Sequence, residues 1–185
     1  MIKRAIVWFK TDLRLQDNET LVHAISHFEE IIPVYCIDNE HFKETEFGFK
    51  KTGNFRAKFL LESLIDLDKN LRGLGSGLII VKGKPEIELG KIAHQYEVQS
   101  VFAKREVAFE ELKTEEKVEA ELWKQNIKFD TFSTSTLYHA QDLPFTIRDI
   151  PDIFTSFRKQ VERESSIRLV FEKPKSIKSP KISEL

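Results

Sequence analysis

The sequence predicts an α/β domain built on a doubly wound, five-stranded parallel sheet. Three observations carry that expectation. Short apolar runs of strand length recur at 2–9, 31–37, 78–82, 99–103 and 127–132. Segments with helical apolar spacing fill the gaps at 18–29, 52–72, 85–96 and 108–125. The two kinds alternate along the chain, so each helix can carry it back before the next strand begins, which is how a parallel sheet is wound.

The first run, Ala5-Ile6-Val7-Trp8-Phe9, is apolar on both faces, as a strand covered on both sides must be. It breaks at once into Lys10-Thr11-Asp12-Leu13-Arg14, followed by Asp17-Asn18 at the position of a helix cap. The helix over 52–72 shows a stripe of Leu60, Leu64, Leu67 and Leu71, with Thr52 or Asn54 near its start. Gly73, Gly75 and Gly77 end it. They follow a helix rather than a strand and no Gly-Lys-Ser/Thr accompanies them, so they do not form a phosphate-binding loop. The helix over 108–125 is rich in Glu and Lys, including Glu110, Glu111, Glu115 and Glu116, and is expected to present a solvated face.

After residue 133 the character changes. Residues 134–164 are expected to form a loop and a short docking helix over 152–163, carrying Ile153, Phe154, Phe157 and Val161. With Phe145 and Ile150, the first three should make an exposed apolar patch. The stretch 165–185 is rich in Ser, Lys and Pro, with Pro174 and Pro180, and has the composition of a linker leading to a further domain. The expected division is therefore a domain over 1–133, the docking segment over 134–164 and the linker over 165–185.

Composition narrows the function classes. Basic and acidic residues nearly balance, 29 against 30, which argues against a dedicated nucleic-acid surface with its basic stripe. No apolar stretch is long enough to span a membrane, and no signal-peptide pattern precedes the first strand. The lone cysteine, Cys36, lies in an apolar run and has no internal disulfide partner, so a buried thiol in a reducing, cytoplasmic setting is expected.

In a doubly wound sheet, ligands gather beyond the carboxyl ends of the strands, where the strand order reverses. With strand 1 beside strand 4, the loops Lys10–Arg14 and Lys104-Arg105-Glu106-Val107 flank one crevice. Glu106 is its most informative member, because a carboxylate can pair bidentately with a planar donor edge such as a guanidinium or an aminopyrimidine. A surface ion pair with Arg105 or Lys104 is the plainer role for it. Asp12 and Lys104 complete the candidate set. Arg56 suits a solvated position. His139 has no paired nucleophile. Asp142 and Asp149 suit turns or caps. No pattern for hydrolysis, phosphoryl transfer or zinc is present.

Four segments, in order, resemble the N-terminal domain of the photolyase/cryptochrome family, and the DASH-type cryptochromes in particular. Residues 8–18 are similar to W-F-R-x-D-L-R-x-x-D-N. Gly48 to Leu60 resembles G-F-x-K-T-G-x-x-R-x-x-F-L. Arg105-Glu106-Val107 with Glu110-Glu111 resembles R-E-V-T-x-E-E. The stretch from Ser135 to Lys159 resembles the closing DASH segment. Departures are Lys10 for Arg, Ala108 for Thr, Thr134 for Gly and Ala140 for Pro. The resemblance implies a Rossmann-like, three-layer antenna domain that precedes an all-helical, FAD-binding domain. It implies a methenyltetrahydrofolate antenna with Glu106 on the pterin. It also implies a longer parent protein that repairs cyclobutane pyrimidine dimers in damaged DNA with blue light. The chain alone, with only Trp8 and Trp123, is expected to be inactive. Two other functions compete: a stand-alone nucleotide-binding module, disfavoured by the absence of a Gly-rich turn after strand 1, and a structural docking domain without a chromophore.

Overall fold

The computed structural model describes residues 2–182. Its sheet has five parallel strands: β1 (Arg4–Phe9), β2 (Glu30–Ile37), β3 (Ile79–Lys82), β4 (Ser100–Lys104) and β5 (Lys128–Phe132), in the order β3-β2-β1-β4-β5. Four helices wind it: α1 (Glu19–His27), α2 (Asn54–Arg72), α3 (Pro85–Gln95) and α4 (Phe109–Lys124). A fifth, α5 (Phe154–Glu164), follows the sheet. The expected doubly wound α/β architecture is the one observed, with β1 beside β4.

Each face of the sheet has its own core, and the pleat of β1 feeds both. Ile6 and Trp8 point toward α3 and α4, where they meet Leu89, Ile92, Val118 and Leu122. Ala5, Val7 and Phe9 point the other way, toward Leu21 and Ala24 of α1 and Leu64, Leu67 and Leu71 of α2. Burial on both faces explains why β1 is apolar at successive positions. Pro33 lies within β2 but one residue before the β2–β3 ladder begins at Val34, so its missing donor interrupts no bond to β3.

The helix starts follow local chemistry. Asn18 caps α1, its side chain accepting from the Leu21 amide at 3.0 Å. The α2 cap is Gly53 and makes no side-chain bond, with Thr52 and Asn54 on either side of it near the helix start. Thr52 is buried. On α2 the expected stripe is buried at Leu64, Leu67 and Leu71. Phe55, Phe59, Leu61 and Ile65 face outward.

The tail, expected to behave as a linker, is packed against the domain over residues 171–182. The Asp17 amide donates to the Phe171 carbonyl at 2.9 Å, and the Asp17 carboxylate accepts from the Phe171 amide at 3.1 Å. Asp17 does this from a left-handed backbone (φ 50), which Asp tolerates. The tail then crosses the α1–α2 face. Ile177 is buried in that core, and its amide donates to the Leu74 carbonyl. Ile31, at the start of β2, donates to the Lys178 carbonyl, and Ser179 Oγ donates back to the Ile31 carbonyl at 2.6 Å. A composition typical of linkers thus covers a strap stitched to both ends of one face.

Candidate functional site

The loops after β1 and β4 meet at the point where the strand order reverses, as their positions in the sequence predict. Three side chains are joined there. The Thr11 hydroxyl donates to Glu106 Oε1 at 3.0 Å and accepts from Lys104 Nζ at 2.6 Å. Lys104 Nζ lies 3.7 Å from Glu106 Oε2. The Glu106 side chain is 13% exposed, enough for an approaching ligand to reach it. A carboxylate has about four lone-pair sites, so one bond from Thr11 and a loose contact with Lys104 leave room for further donors. Among the described residues, Lys104 is the cation within ion-pair distance of Glu106, and Arg105 is exposed.

The other expected residues separate. Asp12 is buried and its carboxylate accepts from the Lys10 amide at 3.0 Å, bracing the turn that carries Thr11. Arg14 folds back onto the Gln16 and Asp17 carbonyls, away from the crevice. Arg56 is exposed. His139 Nδ1 accepts from the Gln141 amide. Asp149 accepts from the Thr146 hydroxyl. Asp142 is bound by the Arg168 guanidinium through both oxygens, a contact that holds its carboxyl below the usual range.

Glu115 was expected on a solvated face, and the structure corrects this. It is buried beneath the site, with Oε1 accepting from Lys10 Nζ at 2.5 Å and from the Glu106 amide at 2.9 Å. The Lys10 ammonium also lies 4.7 Å from the centre of the Trp8 ring. Both members of this ion pair are about nine-tenths covered, so removing one partner would leave an uncompensated charge at a cost of about 3–5 kcal/mol. A signal was present in the sequence. Glu115 falls at i−3 from Val118 and i−7 from Leu122, the two apolar residues that α4 buries.

Exposed apolar and aromatic side chains follow Glu106 in the chain and lie on a turn tied to α4. A short hairpin-like turn, bridged between Glu44 and Lys50, presents Phe47 and Phe49 with rings stacked 6.2 Å apart. Lys51 at its base donates to both oxygens of Glu110 at the start of α4, at 2.8 and 2.7 Å. Val107 and Phe109 are exposed beside it. Two grooves of about 640 and 620 Å³ lie elsewhere, one between α2, β3 and the strap, the other between α3 and α4. Neither includes Thr11, Lys104 or Glu106. The site is occupied by its own polar side chains, Thr11, Lys104 and Glu106.

The DNA photolyase family profile matches residues 5–179. The chain belongs to the DNA photolyase family. Its relatives are DASH-type cryptochromes and similar proteins. It is 43% identical over 165 residues to cryptochrome DASH of Gloeobacter violaceus, covering 89% of this chain and 33% of the relative. It is 42% identical over 161 residues to the blue-light photoreceptor PHR2 of Arabidopsis thaliana, covering 87% and 36%. The solved structure of a Synechocystis cryptochrome superposes with a TM-score of 0.93 at 39% identity, over 99% of this chain and 38% of that one. The chain thus spans about a third of the length of the curated relatives it matches, and corresponds to the N-terminal domain of the photolyase family. Among the described residues, no helix is long and apolar enough to cross a membrane.

Proposed function

We propose that this domain is the light-harvesting part of a DASH-type photolyase, holding a folate-type antenna at Glu106. The observation that carries the reading is the fixed, partly exposed Glu106 carboxylate at the strand-order reversal. The donor chemistry fits the group. A pterin carries an amino group and a ring N–H on one edge, and a carboxylate is the acceptor that meets both at once. Lys104 would offer a cation beside the ring. Asp12 serves this site through the backbone turn it braces. When bound, the folate would supply absorption in the near ultraviolet.

FAD belongs, in this reading, to a helical domain of the longer protein, which repairs cyclobutane pyrimidine dimers in damaged DNA. The domain's own partner is that helical domain. The apolar patch supports docking: Ile150, Ile153 and Phe154 are exposed, Phe145 and Phe157 half-buried, and the Phe145–Phe157 rings are 5.6 Å apart. A cytoplasmic setting suits the lone buried thiol.

The test uses full-length protein, wild type and Glu106→Gln, with folate occupancy read by near-ultraviolet absorbance. Gln replaces one acceptor oxygen with a donor and removes the charge. At least a tenfold fall in affinity is expected, about 1.4 kcal/mol. Unchanged occupancy would refute the assignment. The 185-residue chain alone, given ultraviolet-damaged DNA under blue light, is expected to repair nothing above a no-protein control. Light-dependent repair by it would overturn the division of labour proposed here.

A further inference from the structure

We infer that Glu115 is a positioning residue for the Glu106 site, setting the spacing of the β1 and β4 loops through one buried carboxylate oxygen. The inference rests on the antenna reading of Glu106. Glu115 Oε1 accepts two donors that arrive from different strands: Lys10 Nζ from the end of β1 at 2.5 Å, and the Glu106 amide from the end of β4 at 2.9 Å. Glu115 itself comes from α4, on the face that also buries Val118 and Leu122. One atom therefore ties three elements together directly under the site. Lys10 is held from its other side by the Trp8 ring.

A buried ion pair is by itself weak evidence for stability, because desolvation offsets much of the attraction. Geometry gives this one its role. The Glu106 backbone is pinned by Glu115 and its side chain by Thr11, which is in turn held by Lys104. A carboxylate that must meet a flat donor edge with both oxygens needs its position and its plane fixed together. Fixing them before the ligand arrives removes an ordering cost from binding. Glu115 acts through Glu106 and touches no ligand.

The test compares two double variants, Lys10→Met/Glu115→Gln and Lys10→Met/Glu115→Leu. Both remove the two buried charges together, so neither leaves one uncompensated. They differ in that Gln keeps an acceptor for the Glu106 amide and Leu does not. In the 185-residue chain, hydrogen exchange at the Glu106 amide is expected to be roughly tenfold or more faster in the Leu variant than in the Gln variant. Val101 in the core should exchange equally in both. Equal exchange at Glu106 overturns the inference. In the wild-type chain the Glu106 amide should exchange more slowly than in an unstructured reference peptide. Exchange at the reference rate overturns the inference without any variant having to fold.

In full-length protein, added methenyltetrahydrofolate should occupy the Leu variant at least tenfold more weakly than the Gln variant. Equal occupancy in the two, with occupancy lost in Glu106→Gln, overturns the positioning role alone. Occupancy unchanged in Glu106→Gln overturns the antenna reading on which it rests.

Discussion

Ile177→Ala separates a packed strap from a passive linker. Ile177 is 3% exposed and lies among Leu64, Leu67, Leu71 and the odd-numbered residues of β1. The substitution removes three carbons, worth roughly 2.4 kcal/mol at about 0.8 kcal/mol each. Incomplete collapse of the vacated space adds to this, and such changes commonly cost about 2–5 kcal/mol. The transfer contribution alone places the expected loss near the low end, about 2–3 kcal/mol. For a domain of this size each kcal/mol lowers Tm by about 2–4 °C, so a fall of roughly 4–12 °C is expected. The assay is thermal unfolding of the 185-residue chain, followed by circular dichroism, beside Leu169→Ala. Leu169 is 92% exposed, and its loss should change stability by no more than about 0.5 kcal/mol. If the two variants melt together within 1 °C of wild type, the strap contributes nothing and the packing argument is wrong.

Two further outcomes follow from titratable groups. Burial lowers the proton affinity of His23 and the neighbouring His27 adds to this, against opposing attraction from Asp130 and Glu19. The unfolded chain therefore takes up this proton first as pH falls through about 6.5, so His23 favours folding above that value and the contribution is lost below it. The fall in Tm between pH 7.5 and 5.5 should be smaller in His23→Gln than in wild type, and equal falls would discount the effect. Burial, with negative charge from Glu88 and Asp38, pushes the Cys36 thiol up to about 12. Iodoacetamide at pH 8 should label it only after the chain is unfolded in urea, and rapid labelling of the native chain would show that it is not buried.

Local pattern made the sheet and its helices legible. Successive apolar residues in β1 report burial on both faces, and Asn18 before the apolar face of α1 reports a cap. Glu106 could be found because the common doubly wound order, taken for the sheet, puts β4 beside β1, and position after β4 then decides where it lies. The α2 cap was less legible: Thr52 and Asn54 both have side chains that could serve, while the backbone starts the helix at Gly53 without either.

By itself, then, the sequence determined the fold class, the strands and helices to within a residue or two, the family and the loop that carries Glu106. Tertiary structure alone decided two things: which donors meet Glu115 beneath that loop, and that the tail is a strap. Both depend on partners far away in the chain. Lys10 and Glu115 are 105 residues apart, and Ser179 reaches Ile31 across 148. Periodicity and composition report which side of an element is apolar. They do not report which distant donor will meet a buried acceptor, because that pairing exists only once the sheet has brought both loops to one edge.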